Sequence, residues 1–211
     1  MLIYDNNVVK IVKLDLNNIE INLVKEACRY ISNGKIVIFP SDTSYGIAVN
    51  ASNKISIAKI YALKNRSVEK KISCIFSDIA QIEKYTNVSK EQRKILQNNL
   101  PGPFTFILEN SNENKLPLGE SVGVRIPDFE FTRLLSKNLD IPFTATSANM
   151  SEKSACYGID EFLTQIEKSK KKPDLIIDAG ILSRNNPSTV VDIRDLKNIK
   201  ILRKGDIMPS L

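Results

Sequence analysis

The segment at residues 40–46 has the residue types of a small-molecule binding loop. Its sequence, Pro-Ser-Asp-Thr-Ser-Tyr-Gly, gathers four hydroxyl groups and one carboxylate. The segment directly follows residues 35–39, an apolar and β-branched run typical of a strand buried on both faces. Open α/β sheets bind their ligands beyond the carboxyl ends of such strands. A plain turn would use the same residues, because Ser and Asp also hydrogen-bond to nearby backbone groups.

Two groups of cationic side chains are candidates for holding an anion. Lys64 and Arg66 lie at the predicted end of a helix, where the helix dipole favours cations and where the pair could also hold a triphosphate. Arg125 shares one strand face with Ser121 and Gly123, whereas valines occupy the opposite face. An arginine on an apolar strand needs an anionic partner, because burying its charge unpaired is costly.

Small polar side chains also stand at the predicted ends of two strands. Ser147 and Asn149 belong to Ala-Thr-Ser-Ala-Asn at residues 145–149, and Ser188 belongs to Pro-Ser-Thr-Val at residues 187–190. Each segment could equally form a helix cap or an Asx turn. Because each signal is weak when taken singly, the order of all of them along the chain carries the argument.

The sequence of 211 residues contains no histidine, which restricts its chemistry. This excludes Ser-His-Asp triads, Cys-His pairs and zinc sites with histidine ligands, and it leaves no side chain with an ordinary pKa near neutrality. We therefore expect no general base among the side chains, and little titration of the protein itself between about pH 6 and 8. The net charge of +6 points to an anionic partner such as a nucleotide or a nucleic acid, although an excess of lysine explains part of it.

The cysteines and the apolar runs exclude several other classes of protein. Cys28, Cys74 and Cys156 lie far apart without a Cys-x-x-Cys pair, which predicts inert buried thiols rather than disulfides or a zinc site. No apolar run approaches the ~20 residues that span a bilayer, and the N-terminus lacks a basic segment followed by an apolar one. These features predict a cytoplasmic protein without membrane contact.

Helices and strands must alternate along the chain to position these residues. Asn18 is the predicted cap of a first helix that stops at Asn33-Gly34, and Ser52-Asn53 is the predicted cap of a second helix that ends near Lys64. Further strands are predicted at residues 47–49, 72–76, 104–108, 122–125, 143–146, 175–177, 189–193 and 199–202, with further helices at 89–98, 129–137 and 159–168. This alternation indicates one α/β domain with a mixed sheet, spanning residues 1–211.

The order and spacing of the motifs resemble the YrdC/TsaC-type L-threonylcarbamoyladenylate synthases. The resemblance runs from about residue 18 to residue 205, through Pro-Ser-Asp-Thr-Ser-Tyr-Gly (40–46), Lys-Asn-Arg (64–66), Pro-Gly-Pro-Phe-Thr (101–105), Val-Arg-Ile-Pro (124–127), Ser-Ala-Asn (147–149), Pro-Ser-Thr-Val-Val-Asp (187–192) and Leu-Arg-Lys-Gly (202–205). It implies a single twisted α/β domain with a wide basic concave face, in the short form of the family. It also implies synthesis of L-threonylcarbamoyl-AMP from L-threonine, bicarbonate and ATP, with release of pyrophosphate, for modification of the tRNA adenosine beside the anticodon.

The resemblance further implies roles for individual side chains. Those expected to bind threonine are Thr43, Arg125, Ser147 and Ser188. Those expected to bind ATP are Lys64, Arg66, Lys70, Ser121, Asn149 and Arg203. Lys64 and Arg66 are the expected catalytic pair, since together with a magnesium ion they would neutralise the polyphosphate. The magnesium is expected to arrive with ATP, and no metal site made by the protein alone is expected.

The sequence departs from the family pattern at two places near the expected site. Ile75 stands where longer members have a histidine near threonine, and Tyr157 stands where a threonine would help to bind the nucleotide. The first difference bears on selectivity for threonine. The second bears on the role of the loop at residues 151–157.

The expected recipient of the product is a threonylcarbamoyl transferase complex that acts on tRNA, with weak direct binding of RNA by the protein itself. Two alternative functions stay open. One is an RNA-binding module that uses the basic concavity, although hydroxyls beside cations favour a small-molecule pocket and RNA readers use aromatic stacking platforms. The other is carbamoyl-adenylate formation of the hydrogenase-maturation type, whose domains normally belong to longer chains with cysteine-rich zinc modules.

Overall fold

Strands and helices alternate along the residues that the computed structural model describes, 2–4 and 7–211. The helices of this part of the chain are α1 (Ile21–Ser32), α2 (Lys54–Lys64), α3 (Ile79–Tyr85), α4 (Lys90–Asn99), α5 (Glu130–Lys137) and α6 (Ile159–Ile166). Its strands are β1 (Leu2–Tyr4), β2 (Asn7–Lys13), β3 (Val37–Phe39), β4 (Gly46–Ala48), β5 (Ser73–Ile75), β6 (Thr86–Asn87), β7 (Phe104–Asn110), β8 (Ser121–Arg125), β9 (Phe143–Ser147), β10 (Leu175–Asp178), β11 (Thr189–Asp192) and β12 (Lys200–Arg203). The predicted α/β class is confirmed.

All of these strands join one sheet. Its order is β1-β2-β10-β3-β4-β9-β5-β8-β7-β11-β12, and β6 pairs with β7 outside this path. The β2/β10, β3/β10, β5/β8 and β7/β11 pairs are parallel. The other pairs along the path are antiparallel, so the sheet is mixed, as the sequence predicts.

The half of the sheet around β3 is packed on both faces. Val37 and Phe39 belong to a core with residues of α1 and α5, whereas Ile38 belongs to a core with residues of α2 and α6. All three side chains are at most 1% exposed. The apolar run at residues 35–39 therefore correctly predicts a strand buried on both sides.

The strands β5, β8, β7 and β11 form a second half with two different faces. On β8, Val122 and Val124 pack in a core with residues of α3 and α4. Ser121, Gly123 and Arg125 occupy the opposite face and line a cavity. The two-residue alternation predicted for this strand is confirmed, and it delivers polar groups to the cavity while the valines stabilise the strand.

The predicted start of the first helix is wrong. α1 begins at Ile21 after Glu20, and the Asn18 side chain does not cap it. Asp15 organises the chain here instead, because its Oδ1 accepts a hydrogen bond from the amide of Asn17 at 2.9 Å. Its carbonyl also accepts the amide of Asn18 at 3.3 Å, so Asn18 closes a turn, and Ile19 and Glu20 separate it from the helix.

The second helix begins and ends as predicted. The Oδ1 of Asn53 accepts hydrogen bonds from the amides of Ile55 at 2.9 Å and Ser56 at 3.1 Å, and the helix stops at Lys64. The sequence predictions omitted β1, β2, α3 and β6. The signal for α3 was present, because Asp78 caps it by accepting the amide of Gln81 at 2.7 Å.

In the part of the chain that the structure describes, no helix is long and apolar enough to cross a membrane. The single-domain assignment of residues 1–211, the wide basic concave face and the cytoplasmic location stay predictions.

Candidate active site

The cavity against β5, β8, β7 and β11 has a volume of about 520 Å³. Small-molecule sites usually occupy roughly 300–1,000 Å³. The cationic residues that line this cavity are Arg66, Lys71, Arg125, Arg194 and Arg203. Among the described residues on its walls, Asp192 is the one carboxylate. The excess of positive charge favours an anionic ligand.

Asp192 and Arg194 neutralise each other at one side of the cavity. The Nε of Arg194 donates to Oδ1 of Asp192 at 3.0 Å, and its Nη2 donates to Oδ2 at 2.7 Å. These hydrogen bonds hold the pKa of Asp192 below its ordinary value. Within the described chain, Arg66, Lys71 and Arg203 have no carboxylate within 4.0 Å, so these are the cations that an anionic ligand would neutralise.

The structure brings most of the predicted site residues to this cavity. Those that line it are Thr43, Arg66, Ser121, Arg125, Ser147, Ser188 and Arg203. Those that do not line it are Lys64, Lys70 and Asn149. The binding roles of all ten stay predictions. Lys64, Lys70 and Asn149 are not on the cavity wall from which they were expected to contact ATP.

The loop at residues 40–46 is held by its own hydrogen bonds. The Oγ of Ser41 donates to the carbonyl of Ser44 at 2.8 Å, and it accepts the amide of Thr43 at 3.4 Å. The phenol of Tyr45 donates to the carbonyl of Gly180 at 2.8 Å, which anchors the loop to the segment after β10. The loop therefore presents Thr43 to the cavity from a fixed backbone.

Arg125 has a buried protein partner. Its Nη2 lies 2.8 Å from Oδ1 of Asp42, and the two side chains are 10% and 12% exposed. The expectation that this arginine needs an anionic partner is confirmed, and the partner is a carboxylate of the chain itself. Asp42 lies on the wall of a neighbouring cavity of about 460 Å³. In the described chain the buried Nε of Arg125 has no hydrogen-bond partner, so the guanidinium retains capacity for a ligand.

Ser188 is fixed by Arg203 and Thr105. The Nε and Nη2 of Arg203 donate to the carbonyl and the Oγ of Ser188, both at 2.9 Å. The Oγ atoms of Ser188 and Thr105 also lie 2.8 Å apart. Burial, and then the nearby charge of Arg125, lower the pKa of Arg203. The guanidiniums of Arg125 and Arg203 therefore lie near each other at the cavity, and such a pair suits a carboxylate or a phosphate.

Lys64 and Arg66 lie on different sides of the backbone between them. Asn65, which caps the carboxyl end of α2, has φ 49° and ψ 52°, a left-handed conformation that asparagine adopts more readily than most residues. Arg66 lines the cavity, and its Nη2 donates to the carbonyl of Lys71 at 2.9 Å. Lys64 is 1% exposed and lies against the turn that follows β9.

The ammonium of Lys64 contacts the Ser-x-Asn motif. It donates to the carbonyl of Ser147 and, at 3.0 Å, to Oδ1 of Asn149. Burial, followed by the charge of Arg66, lowers the pKa of Lys64 to about 7. The expectation that the protein contributes little titration between pH 6 and 8 is therefore wrong, because desolvation moves a lysine into the range that histidine would occupy.

Some groups on the cavity wall were not singled out from the sequence. Lys71 and Arg194 line the cavity, whereas the neighbouring Lys70 is exposed and does not. A weak signal for Arg194 existed, since it follows Asp192 at the end of a predicted strand. Nothing in the pair Lys70-Lys71 indicates which lysine enters the cavity, because that depends on where the chain joins β5.

The two departures from the family pattern both lie at the cavity. Ile75 lines it and is 1% exposed, so an apolar side chain stands where a polar one was noted in longer members. Tyr157 also lines it, its hydroxyl donates to the carbonyl of Asn185 at 3.1 Å, and the guanidinium of Arg184 lies 5.2 Å from its ring centre. The loop at residues 151–157 thus contributes an aromatic ring to the site.

The cysteines are buried, as predicted. Desolvation raises the pKa of Cys28 to about 11 and that of Cys156 to about 12, and it also raises the pKa of Cys74. Thiols with raised pKa values and no access to solvent are poor nucleophiles. The chemistry of the site therefore rests on cations and hydroxyls.

The fold and the cavity define a class: a mixed-sheet α/β protein whose cation-lined pocket suits a small anionic substrate. The Sua5/YciO/YrdC family model, whose description is Telomere recombination, matches residues 29–205. The chain belongs to this family.

Individual relatives agree with the family match. A Methanocaldococcus jannaschii protein, provisionally named a threonylcarbamoyl-AMP synthase, is 39% identical over 94% of each chain. The Homo sapiens threonylcarbamoyl-AMP synthase is 30% identical over 89% of this chain and 68% of its own. The crystal structure of P. abyssi Sua5 complexed with L-threonine superposes with a TM-score of 0.81 and 26% identity, covering 94% of this chain. The chain spans 58% of that longer protein.

Proposed function

We propose that the protein synthesises L-threonylcarbamoyl-AMP from L-threonine, bicarbonate and ATP, and releases pyrophosphate. The observation that carries this proposal is the cavity, which is lined by cations without carboxylate partners in the described chain and by hydroxyls held in hydrogen bonds. Its support comes from relatives named as threonylcarbamoyl-AMP synthases and from a related structure solved with L-threonine. The alternatives, an RNA-binding module and a carbamoyl-adenylate synthase, have no comparable support.

The polyphosphate of ATP would bind the cations that lack carboxylate partners. Arg66 and Lys71 lie at one side of the cavity, where the Arg66 guanidinium can form paired hydrogen bonds to phosphate oxygens. Lysine contributes a point charge to the same group. Their role in the reaction is to offset the negative charge that develops on the leaving pyrophosphate.

Threonine would bind where Arg125, Ser188 and Thr43 meet. The carboxylate of the amino acid suits Arg125, whose charge is shared with Asp42 and whose Nε is otherwise unpaired in the described chain. Hydroxyls from Thr43 and Ser147 on the cavity wall can bond the threonine hydroxyl or the carbamate. Ile75 supplies an apolar wall to the same cavity.

The chemistry requires alignment more than proton transfer by the protein. The deprotonated amine of threonine attacks carbon dioxide, which is in equilibrium with bicarbonate, and the resulting carbamate loses the amine proton to solvent. A carbamate oxygen then attacks the α-phosphorus of ATP, and the bond from that phosphorus to the bridging oxygen breaks as pyrophosphate leaves. Holding reactants in such geometry can contribute roughly 7–11 kcal/mol to lowering the barrier.

Magnesium belongs to the substrate in this proposal. Among the described residues no three acidic or cysteine side chains form a group that could hold a metal ion. Magnesium commonly retains waters and phosphate oxygens as ligands, so it can enter as the ATP complex. When bound, it would supply further positive charge to the phosphates. The protein's own contribution remains the positioning by Arg66, Lys71 and Arg203.

We further propose that the product passes to a threonylcarbamoyl transferase complex, which modifies the adenosine beside the anticodon of tRNA in the cytoplasm. The mixed anhydride of a carbamate and a phosphate is labile, so direct transfer to such a complex would protect it. Weak direct binding of RNA would use the excess of basic over acidic side chains, which would contact RNA phosphates.

The test is a pyrophosphate assay with the purified protein, magnesium and ATP. We expect release only when threonine and bicarbonate are both present, and we expect mass spectrometry to find threonylcarbamoyl-AMP. Omission of bicarbonate from degassed buffer is the matched control. Release that is indifferent to threonine would overturn the proposal and favour a different nucleotide chemistry.

A further inference from the structure

Lys64 is a buried cation without an anionic partner. Its side chain belongs to a residue that is 1% exposed, and within the described chain no carboxylate lies within 4.0 Å of its ammonium. Such an arrangement is costly for stability, because an ammonium loses hydration that neutral acceptors replace only in part. A structural role alone would be served as well by an apolar residue, so the arrangement calls for a role in the site.

The contacts of Lys64 converge on the turn that follows β9. Its ammonium donates to the carbonyl of Ser147 and, at 3.0 Å, to Oδ1 of Asn149. The same Oδ1 accepts the hydroxyl of Ser147, so one oxygen joins the lysine to the serine side chain. The backbone takes part as well, because the carbonyl of Lys64 accepts the amide of Ser151 at 2.9 Å. Four hydrogen bonds therefore fix the turn and the Ser147 hydroxyl.

The amide of Asn149 is locked from its other end. Its Nδ2 donates to the carbonyls of Met150 at 2.9 Å and Lys153 at 2.6 Å, which determines that Oδ1 faces Lys64 and Ser147. Of these residues, Ser147 alone lines the cavity. Lys64 is separated from the cavity by the motif that it holds, whereas Arg66 reaches the cavity directly.

We propose that Lys64 is a positioning residue that holds the Ser147 hydroxyl in place for the amino-acid substrate and makes no contact with ATP. This inference rests on the proposed function, in which Ser147 contacts threonine. It revises the expectation that Lys64 and Arg66 act together on the polyphosphate: Arg66 binds phosphate, and Lys64 acts through Ser147.

The charge of Lys64 ties this positioning to pH. Two charged or titratable groups act on it. Arg66 carries the same positive charge and so disfavours the protonated ammonium, and Cys156 is a buried thiol whose raised pKa keeps it neutral. Loss of the ammonium proton above about pH 7 weakens the two donated hydrogen bonds, since hydrogen bonds from charged donors are the stronger ones. We expect the KM for threonine to rise with pH in the wild-type protein, after correction for ionisation of threonine itself.

The experiment compares Lys64→Met with Arg66→Met, using calorimetric binding of threonine and of a non-hydrolysable ATP analogue, and the KM of each substrate. We expect Lys64→Met to weaken threonine binding about tenfold and to change ATP binding less than twofold, with the reverse order for Arg66→Met. Lys59→Met is the matched control, because Lys59 lies on the same helix and donates to the carbonyl of Gly34 at 2.6 Å, away from the cavity. Lys64→Gln keeps neutral donors and should restore part of threonine binding while removing its pH dependence.

A double-mutant cycle with Ser147→Ala provides the decisive readout. If Lys64 acts through the serine, Lys64→Met should weaken threonine binding no further in the Ser147→Ala background. Independent, additive effects would overturn the inference, as would loss of ATP binding alone in Lys64→Met. Should Lys64→Met not fold, Lys64→Gln decides the question by the same ratio of threonine to ATP affinities. A wild-type protein that binds ATP but not threonine would overturn the proposed function as well, whereas a wild type that binds both isolates the role of Lys64.

Discussion

The half of the sheet around β3 and β10 is covered on both faces, whereas the half formed by β5, β8, β7 and β11 is covered on one and forms a cavity wall on the other. In the first half, successive residues such as Leu175, Ile176 and Ile177 are all fully buried and apolar. In the second half, alternate residues face the cavity instead of a packed core. Polar groups such as Ser121 and Arg125 occupy these cavity-facing positions. The comparison shows that the site exists where helices leave one face of the sheet uncovered.

The cavity half should be most sensitive at its buried ion pair. Arg125→Met leaves the Asp42 carboxylate, 12% exposed, without its partner. We expect the free energy of unfolding to fall by about 3–5 kcal/mol, the usual cost of an unpaired buried charge. Urea denaturation measures this loss. The double variant Arg125→Met, Asp42→Asn should recover more than half of the stability but not the activity; an Arg125→Met protein as stable as the wild type would contradict the burial of the pair.

The doubly covered half should be most sensitive to loss of volume. Ile176 on β10 is fully buried, and Ile176→Ala should cost about 2–5 kcal/mol of unfolding free energy by opening a cavity in the core that it shares with residues of α2 and α6. Ile107→Ala, on the half-buried cavity face of β7, is the matched control and should cost less than half as much. Thermal melts of both variants would make the comparison. Equal losses would mean that the two faces are packed alike.

The cavity face should show loss of activity without loss of stability. Arg66→Ala removes a charge-assisted contact with polyphosphate, worth roughly 1.5–3 kcal/mol, so kcat/KM for ATP should fall about 10- to 100-fold. Its stability should change little, because the side chain gives up one exposed hydrogen bond, from Nη2 to the carbonyl of Lys71, and its buried Nε has no partner in the described chain. Lys90→Ala, an exposed cation at the start of α4, is the control for loss of charge alone. An unstable Arg66→Ala with normal activity per folded molecule would favour the helix-terminus interpretation.

The last expected effect is a pH dependence of stability. Burial lowers the pKa of Lys64 to about 7 in the folded protein, against an ordinary value of 10.5 for the unfolded chain. Between these values the unfolded state binds the proton and the folded state does not, so the stability contributed by this site rises with pH from about 7 and is lowest below it. The Tm of the wild type minus that of Lys64→Met should therefore increase from pH 7 to pH 9. A constant difference would contradict the lowered pKa.

Local sequence signals predicted the helices and strands that are bounded by clear caps and apolar runs. Asn53 is an example, because its cap depends on amides only two and three residues away. The signal at Asn18 misled, since Asp15 competes for the same stretch of backbone with a turn. β1 and β2 were not predicted. Local signals could not indicate β2, because it joins the sheet by parallel pairing with β10, which lies far along the chain.

The candidate site was predicted in its residue types more than in its contacts. The sequence alone indicated that Arg125 needs an anion, yet it could not identify Asp42, which lies 83 residues away. It grouped Lys64 with Arg66 because they are close in the chain. The left-handed Asn65 places the two side chains in different environments, one behind the Ser147 turn and one in the cavity.

By itself, the sequence determined the mixed α/β class, the two-faced pattern of β8, the absence of histidine chemistry and the motifs that mark the family. Those properties depend on residue type and on spacings of a few residues, which the chain carries without folding. Only the tertiary structure decided that Lys71 rather than Lys70 reaches the cavity, and that a buried lysine titrates near neutrality. Burial and pairing across the sheet involve groups from segments that are distant in the chain, so they arise only when the chain folds and brings these segments together.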